Sequence, residues 1–509
     1  MKRLIAGAGM ALLLASCGSP SGEVDYNLLP VKSGGRYGYV NPEGKYVINP
    51  QFDDATMFRE GIARVKKDGK YGYIGRDGNY ICLPIYHDAT VFQEGIAWVT
   101  KEKGAPTAIN TQGKELFTVK EAYNVSCYSE GLADFSLRTG DKGLILHGYL
   151  DKKGNVVIPP TYTQAGDFGQ GLAAVSVDWS PFGYIDKKGE TKINFQFGRA
   201  ERFDEHGRAI VKAEGPEGLC GVINRKGEYV INPQFASLTA DGDRYLLQLE
   251  RNGDYGYCDA DGTLTINPQF EEALPFYGSQ LAAVNVGDLY GYINEKGEIA
   301  ITPQFQGAAP FFGGRAPVYS SSKIGFINEE GKFTVNPQFQ ELSGDYFLNE
   351  ENIIGTPFTH VTSQYIDTDR LAERLRALLA DGQLDGMSFP PSVSEVLKRY
   401  KIEEKSVPVY DDWKQSLGYW GNCLTAKLAL NGYFYKEVSD GWWGTKRLLD
   451  KEAKADRVQL HINLFDVATG RSADVRDGLQ KALNGSEYGA FHFDIRCEGG
   501  SEVIIDITK

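Results

Sequence analysis

The chain has 509 residues, of which 42% are apolar, 24% charged and 12% aromatic, with 60 glycines and 21 prolines. That balance is too apolar for a disordered polymer and lacks the period of a collagen. A net charge of −13 without a long Lys/Arg run argues against nucleic acid as a partner, because phosphate neutralisation needs clustered cations.

The first element is an address. Met1-Lys2-Arg3 is a basic start, Leu4 to Ala15 is an apolar run, and Leu14-Ala15-Ser16-Cys17 closes it. The run is shorter than the roughly 20 residues a membrane span needs, but suits the core of a signal peptide. It resembles a bacterial lipoprotein signal, which implies cleavage after residue 16 and acylation of Cys17. Residues 17–33 then read as the lipid-bearing Cys and a flexible linker, with Gly18-Ser19-Pro20-Ser21-Gly22 at its start. Several acyl chains, each contributing about 0.8 kcal/mol per buried methylene, would hold the chain on a membrane. Gly18 is not the Asp that resembles an inner-membrane retention signal. The expected address is therefore the cell envelope, at the outer membrane, facing the periplasm or the cell surface.

From about residue 34 the chain repeats. Tyr37-Gly38-Tyr39-Val40-Asn41-Pro42-Glu43-Gly44 returns as Tyr71-Gly72-Tyr73-Ile74, His147-Gly148-Tyr149-Leu150 and Phe182-Gly183-Tyr184-Ile185. Further copies start at Cys220-Gly221, Tyr255-Gly256, Tyr290-Gly291 and Ile324-Gly325, and a degenerate one fills Thr107 to Gly113. The spacing gives nine units over residues 34–350. In each, aromatic-Gly-aromatic-aliphatic is a strand signal, with Gly where another backbone approaches. Asn/Asp-x-x-Gly is turn chemistry. A second strand follows, which Pro50 and its equivalents are expected to end. Gln-Phe, a short loop and a third strand such as Gly61-Ile62-Ala63-Arg64-Val65 complete the unit. One unit buries too little apolar surface to offset about 1–2 kcal/mol of ordering per residue, so units must stack.

These motifs resemble the bacterial WG (KWG) repeat, with aromatic-Gly, Asp-x-x-Gly, Ile-x-Pro-x-Phe and Phe-x-x-Gly-x-Ala-x-Val in order. The resemblance implies a repeat β architecture and little about activity. The chain departs from it in lacking the eponymous Trp: Tyr, Phe, His, Cys or Ile precedes the first Gly. Three strands, about 35 residues and nine copies predict a mostly β fold, as an open, curved or superhelical β array. The alternative is a propeller-like ring. No strand is evident after Phe339-Gln340-Glu341-Leu342, so the next domain is expected to cap the array.

Residues 365–509 read as a small α+β domain of no recognised family. Helical spacing covers Ile366 to Leu379, Ser392 to Tyr400 and Arg471 to Leu483. Val458 to Phe465, Phe491 to Ile495 and Val503 to Ile507 alternate like strands, and Leu424 to Val438 is ambiguous.

Chemistry is sparse. Outside the cytoplasm Cys423 and Cys497 are a candidate disulfide. Cys423, His461 and Asp466 or Asp494 can be cast as nucleophile, base and orienter, with Gln415 and Gly421-Asn422 faintly papain-like, which would make the C-terminal domain a hydrolase. His461 lies inside a strand pattern, however, and an ordinary structural role is preferred. Asp259-Ala260-Asp261-Gly262 looks like half a calcium loop but lacks the twelfth-position Glu, so a hairpin turn is the better reading. No catalytic residue, metal or cofactor is expected. The expected function is a membrane-anchored, non-catalytic scaffold for a protein partner. Glycan binding through Trp98, Trp179, Trp442 and Trp443 is the alternative.

Overall fold

The computed structural model describes residues 24–139, 144–178, 181–215, 218–347, 360–362, 368–402, 413–421, 424–431, 435–439, 445–464, 472–483, 487–488, 490–498 and 502–508. Cys17, Trp179, Cys423, Trp442, Trp443 and Asp466 lie outside them. The chain divides into two compact units, the first of residues 1–136 and 146–362 and the second of residues 137–145 and 363–509.

The first unit contains nine antiparallel sheets among its described residues, numbered one to nine by the chain order of their outer strands, from Tyr46–Phe52 in sheet one to Phe333–Phe339 in sheet nine. Sheet two shows the pattern. A two-residue inner strand, Asp54–Ala55, pairs with Ile62–Lys67, then Lys70–Gly75, then the outer strand Tyr80–Tyr86. The expected loop after Gln51-Phe52 thus contains a fourth, very short strand. Two residues give no periodicity to read, which is why the sequence shows only three.

The outer strands share one burial rhythm. In Tyr46–Phe52 only Ile48 and Phe52 are buried, and the same alternation recurs in seven of the other sheets. Pro50 lies within this strand rather than ending it. The pairing jumps from Tyr39↔Ile48 to Tyr37↔Phe52, so Asn49-Pro50-Gln51 bulges opposite Gly38. A bulge on an edge strand needs no ladder donor there, and proline is tolerated. Gly38 is required for the same reason: a Cβ on it would lie 2.6 Å from the Ile48 carbonyl oxygen and 2.6 Å from the Pro50 nitrogen.

The turns behave as read. Asp151 Oδ1 accepts from the Lys153 and Asn155 amides at 2.8 and 2.9 Å, and Asp186 and Asn224 repeat the geometry. Asp259 spends its carboxylate likewise on the amides of Asp261 and Thr263, which makes the calcium-like segment a turn.

The repeat in sequence is out of phase with the sheet. One repeat supplies the two outer strands of one sheet and the two inner strands of the next. The first sheet therefore lacks an inner strand of local origin. Glu341–Leu342, after the last repeat, fills it: Lys32 pairs with Glu341 and Val31 with Leu342. Gly44 of sheet one packs against Val335 of sheet nine, as Gly78 packs against Ile48 and Gly331 against Ile301. Val31, Val40 and Met57 share a core with Phe326, Val335 and Phe339. Of the two expected arrangements the structure adopts the propeller-like ring, and its own last strand, not the next domain, completes it.

The second unit is α+β. Its six-stranded antiparallel sheet contains Trp413–Gly421, Leu424–Asn431, Arg457–Leu464, Glu502–Thr508, Phe491–Glu498 and Glu487–Tyr488 in that order. The helices are α1 (Thr368–Leu378), α2 (Val393–Tyr400) and α3 (Ser472–Ala482). Ser392 and Glu395 form a capping box on α2. The ambiguous segment from Leu424 is a strand up to Asn431, with Ala426, Leu428 and Leu430 in the core.

Candidate interaction surfaces and the assignment of the repeats

Adjacent sheets are joined by one repeated bond. The Tyr of the Gly-Tyr pair donates its hydroxyl to a carbonyl 17 residues later, on the inner side of the next sheet. Tyr39 bonds the Thr56 carbonyl, Tyr73 Thr90, Tyr149 Gly166, Tyr184 Glu201, Tyr257 Leu274 and Tyr292 Ala309, all between 2.6 and 2.9 Å. Burial raises the pKa of each of these phenols, so they stay protonated donors. Three units have no hydroxyl to give, because Ala108, Val222 and Phe326 occupy the position.

A second link uses the turn before each Gly-Ile/Leu strand. Glu60 accepts from the Gly95 amide, Glu94 from Gly131 and Glu130 from Gly171. Glu60, Glu94 and Glu130 have φ of 51°, 54° and 52°, next to glycines that are also left-handed. This two-residue turn suits the strand twist and aims the carboxylate at the next sheet. Lys152 and Lys187 add ion pairs to Glu94 and Glu130.

The interior carries buried titratable groups. Burial pushes Glu201 up to about 8, against the pull of Arg199, and it pushes Asp345 up against Arg59 and the bonds from Ser343 and Met57. Burial lowers His147, but the Asp134 carboxylate, 3.0 Å away, outweighs it and leaves the imidazole raised. None of these groups stands out in the sequence. Each is a polar residue at a repeat position where other copies hold another type, and a single sequence cannot show what it faces.

The outer strands present the accessible surface. Asn49 and Gln51 face solvent, and Asn/Gln recur at this pair in sheets five, six, seven and nine. Sheet two departs: it exposes Leu83 and Ile85, at 63% and 53%. Trp98, a sugar platform only in the glycan-binding alternative, is fully buried and stacks on Tyr128 with ring centroids 5.9 Å apart. The aromatic before the first Gly is packed too, as at Tyr37 and Tyr290.

Of the candidate catalytic set in the second unit, His461 and Asp494 lie among the described residues and Cys423 and Asp466 lie outside them. His461 is buried, and its Nδ1 lies 2.8 Å from Glu502, a residue with no distinguishing mark in the sequence. Its strand position pairs with Lys427 and Ile504. Asp494 instead pairs in register with Asp506. Asp506 is the acceptor for Arg457, Gln459 and Arg496. Cys497 is a free thiol on the Phe491–Glu498 strand; its expected partner Cys423 is outside the described residues. Among the described residues no group of His, Cys, Asp or Glu is arranged to hold a metal ion, and no helix is long and apolar enough to cross a membrane.

The first unit is thus a closed ring of small antiparallel sheets built from one tandem motif. That motif matches the WG containing repeat at residues 37–71, 71–103, 148–178, 182–215, 221–240, 255–290, 290–323 and 324–351. The chain is a WG-repeat protein. The sheet around the degenerate copy at 107–118 has no match of its own but keeps its place in the ring. No protein with a curated description matches the chain. Among solved structures it is similar to a eukaryotic initiation factor at 10% identity and a TM-score of 0.45, over 63% of this chain and 98% of that one. It is also similar to BamB from Moraxella catarrhalis, at 12% identity and a TM-score of 0.32, over 62% and 95%.

Proposed function

We propose that this protein is a lipid-anchored, non-catalytic scaffold of the bacterial cell envelope, whose ring presents its outer strands to a protein partner. The observation that carries this reading is the outer strand of sheet two. It is an edge strand with free backbone on one side, and its solvent-facing positions hold Leu83 and Ile85 where other sheets hold Asn and Gln. Pro84 and the bulge around it blunt this edge against strand pairing, so the exposed Leu83 and Ile85 side chains are the feature that invites a partner. The anchor is Cys17, with the acyl chains as the contact to the membrane.

The test is a cross-linked pull-down from intact envelope, comparing the full-length protein with Leu83→Lys/Ile85→Lys. The scaffold reading expects a defined protein to be retained by the first and lost by the second. Equal retention by both would remove sheet two from the reading, and retention on a glycan matrix alone would replace the protein partner with a carbohydrate. Mass analysis of the mature N-terminus tests the anchor: an unacylated Cys17 would reject it.

A further inference from the structure

Sheet four differs from the other eight sheets of the ring in having a fifth strand. Its own strands are Asn124–Ser129, Leu132–Thr139, Leu144–Asp151 and Val156–Tyr162. The fifth, His360–Thr362, comes from beyond the last repeat and lies on the inner edge. It pairs antiparallel through Asn124↔Thr362, Val125↔Val361 and Ser126↔His360.

The Tyr bonds set this inner edge apart from most of the others. The inner position 17 residues after each Gly-Tyr tyrosine is held by that hydroxyl. In sheet four the equivalent position is Ser126, next to the Val125↔Phe135 pair as Thr56 is next to Ala55↔Val65, and the residue at the tyrosine position before it is Ala108, which has no hydroxyl to give. The inner strand here is also the longest of the ring, six residues against five in sheet seven and two in sheets two, three, five and six. An inner edge that is long and lacks the neighbouring phenol is a template for strand addition. The chain's own segment covers it through only three residue pairs.

We propose that the inner edge of Asn124–Ser126 is a receiving site for an extended peptide segment of a partner protein, and that His360–Thr362 occupies it in the resting state. The recognition is main-chain pairing to an extended, β-branched stretch. This deepens the scaffold reading by giving the partner a second, strand-like foothold, one the ring closes in cis until a competitor arrives.

The test uses the full chain carrying Val361→Pro, since proline has no N–H and cannot sustain the pairing. Hydrogen exchange at residues 124–126 is expected to rise on the order of tenfold relative to wild type, with sheets five to nine unchanged. A synthetic peptide of residues 357–365, added in trans, should restore protection in the variant and leave the wild type unaffected. The same peptide with proline at 361 should restore nothing. Val361→Gly keeps the N–H and should give an intermediate rise, which holds the test open if the proline variant misfolds. Unchanged exchange in both variants, or peptide protection that appears instead at Ser237–Asp241, the regular inner strand after Val222, overturns the proposal. If the peptide fails while the envelope pull-down still recovers its partner through Leu83 and Ile85, the inner site falls and the scaffold reading stands.

Discussion

The carboxylate of Asp345 accepts a hydrogen bond from the backbone amide of Met57 at 2.7 Å, across 288 residues of sequence. Both groups are fully buried, and Asp345 also accepts from Ser343 at 2.6 Å. This contact sits where the last repeat meets the first. Asp345→Ala would orphan a buried N–H and is expected to cost about 1–3 kcal/mol of stability. Asp345→Asn keeps an acceptor and should cost less. Denaturant unfolding of the two variants measures the difference, and an alanine variant as stable as wild type would show that the bond does not secure the closure.

The Tyr bonds allow a sharper comparison. Tyr184 is fully buried and donates to the Glu201 carbonyl at 2.7 Å. Tyr184→Phe removes only the hydroxyl and leaves that carbonyl short of a partner, at a cost of about 1 kcal/mol. Tyr229 lies on an outer strand, 43% exposed, with its ring edge-on to Phe197 of the preceding sheet. Tyr229→Phe keeps the ring contact and should stay within about 0.5 kcal/mol of wild type. Equal losses would mean that the repeated phenol packs without bonding.

Much of this was legible in the residues, and the limits have physical causes. Gly38 was readable as a point of close backbone approach, because a glycine flanked by aromatics inside a strand pattern marks a place where no side chain fits. The Asn/Asp turns and the helices α1, α2 and α3 follow from local chemistry alone. Ring closure was not readable. It rests on Glu341–Leu342, two residues with no period, pairing with Val31 and Lys32 some 310 positions earlier. The inner strands fell to the same limit. The bond from Tyr184 to the Glu201 carbonyl was hidden differently: the constant offset of 17 residues is visible, but the acceptor is main chain, so the residue type at 201 carries no mark of it.

The glycines separate two costs. A Cβ on Gly291 would lie 2.4 Å from the Ile301 carbonyl oxygen, which is backbone and cannot move aside cheaply. Gly291→Ala is expected to lose on the order of 3–5 kcal/mol, or to prevent folding of the ring. Gly61 has φ of 77° with open space around it. Gly61→Ala strains only the backbone, at about 1–2 kcal/mol. Thermal unfolding of the pair checks the order, and the reverse order would contradict the bulge geometry opposite Gly38, Gly291 and their equivalents.

Glu201 gives the ring a pH dependence of definite sign. Burial lifts its carboxyl to about 8 from an ordinary 4.5, opposed by Arg199. Between those values the folded chain holds a proton that the unfolded chain releases. Stability from this group is therefore full below about pH 4.5 and declines as pH rises towards 8. Glu201→Gln cannot ionise and escapes the decline. Relative to wild type it should gain about 3–5 kcal/mol between pH 4.5 and pH 9, accumulating at about 1.4 kcal/mol for each pH unit between the two ionisation points. The measurement is the difference in unfolding free energy between the two proteins across that range, and a constant difference would mean that Glu201 ionises normally in the folded ring.

Closure itself predicts an effect at a distance. In a stack coupled only to nearest neighbours, damage at one end frays that end and decays along the array. Here the residues after the ninth unit complete the first sheet. Lys32 pairs with Glu341 at its backbone and meets it again through an ion pair of 2.7 Å, while Tyr46 packs edge-on against Phe339. Deleting residues 341–345 from the otherwise whole chain leaves Leu29–Ser33 as an open inner edge and removes the acceptor from Met57. Hydrogen exchange should then rise in Leu29–Ser33 and around Met57, about as much as in Phe333–Phe339 beside the deletion, while sheets four to six keep their protection. Exchange that rises only next to the deletion would mean that the first and last sheets are not coupled in solution, and that the array behaves as an open one.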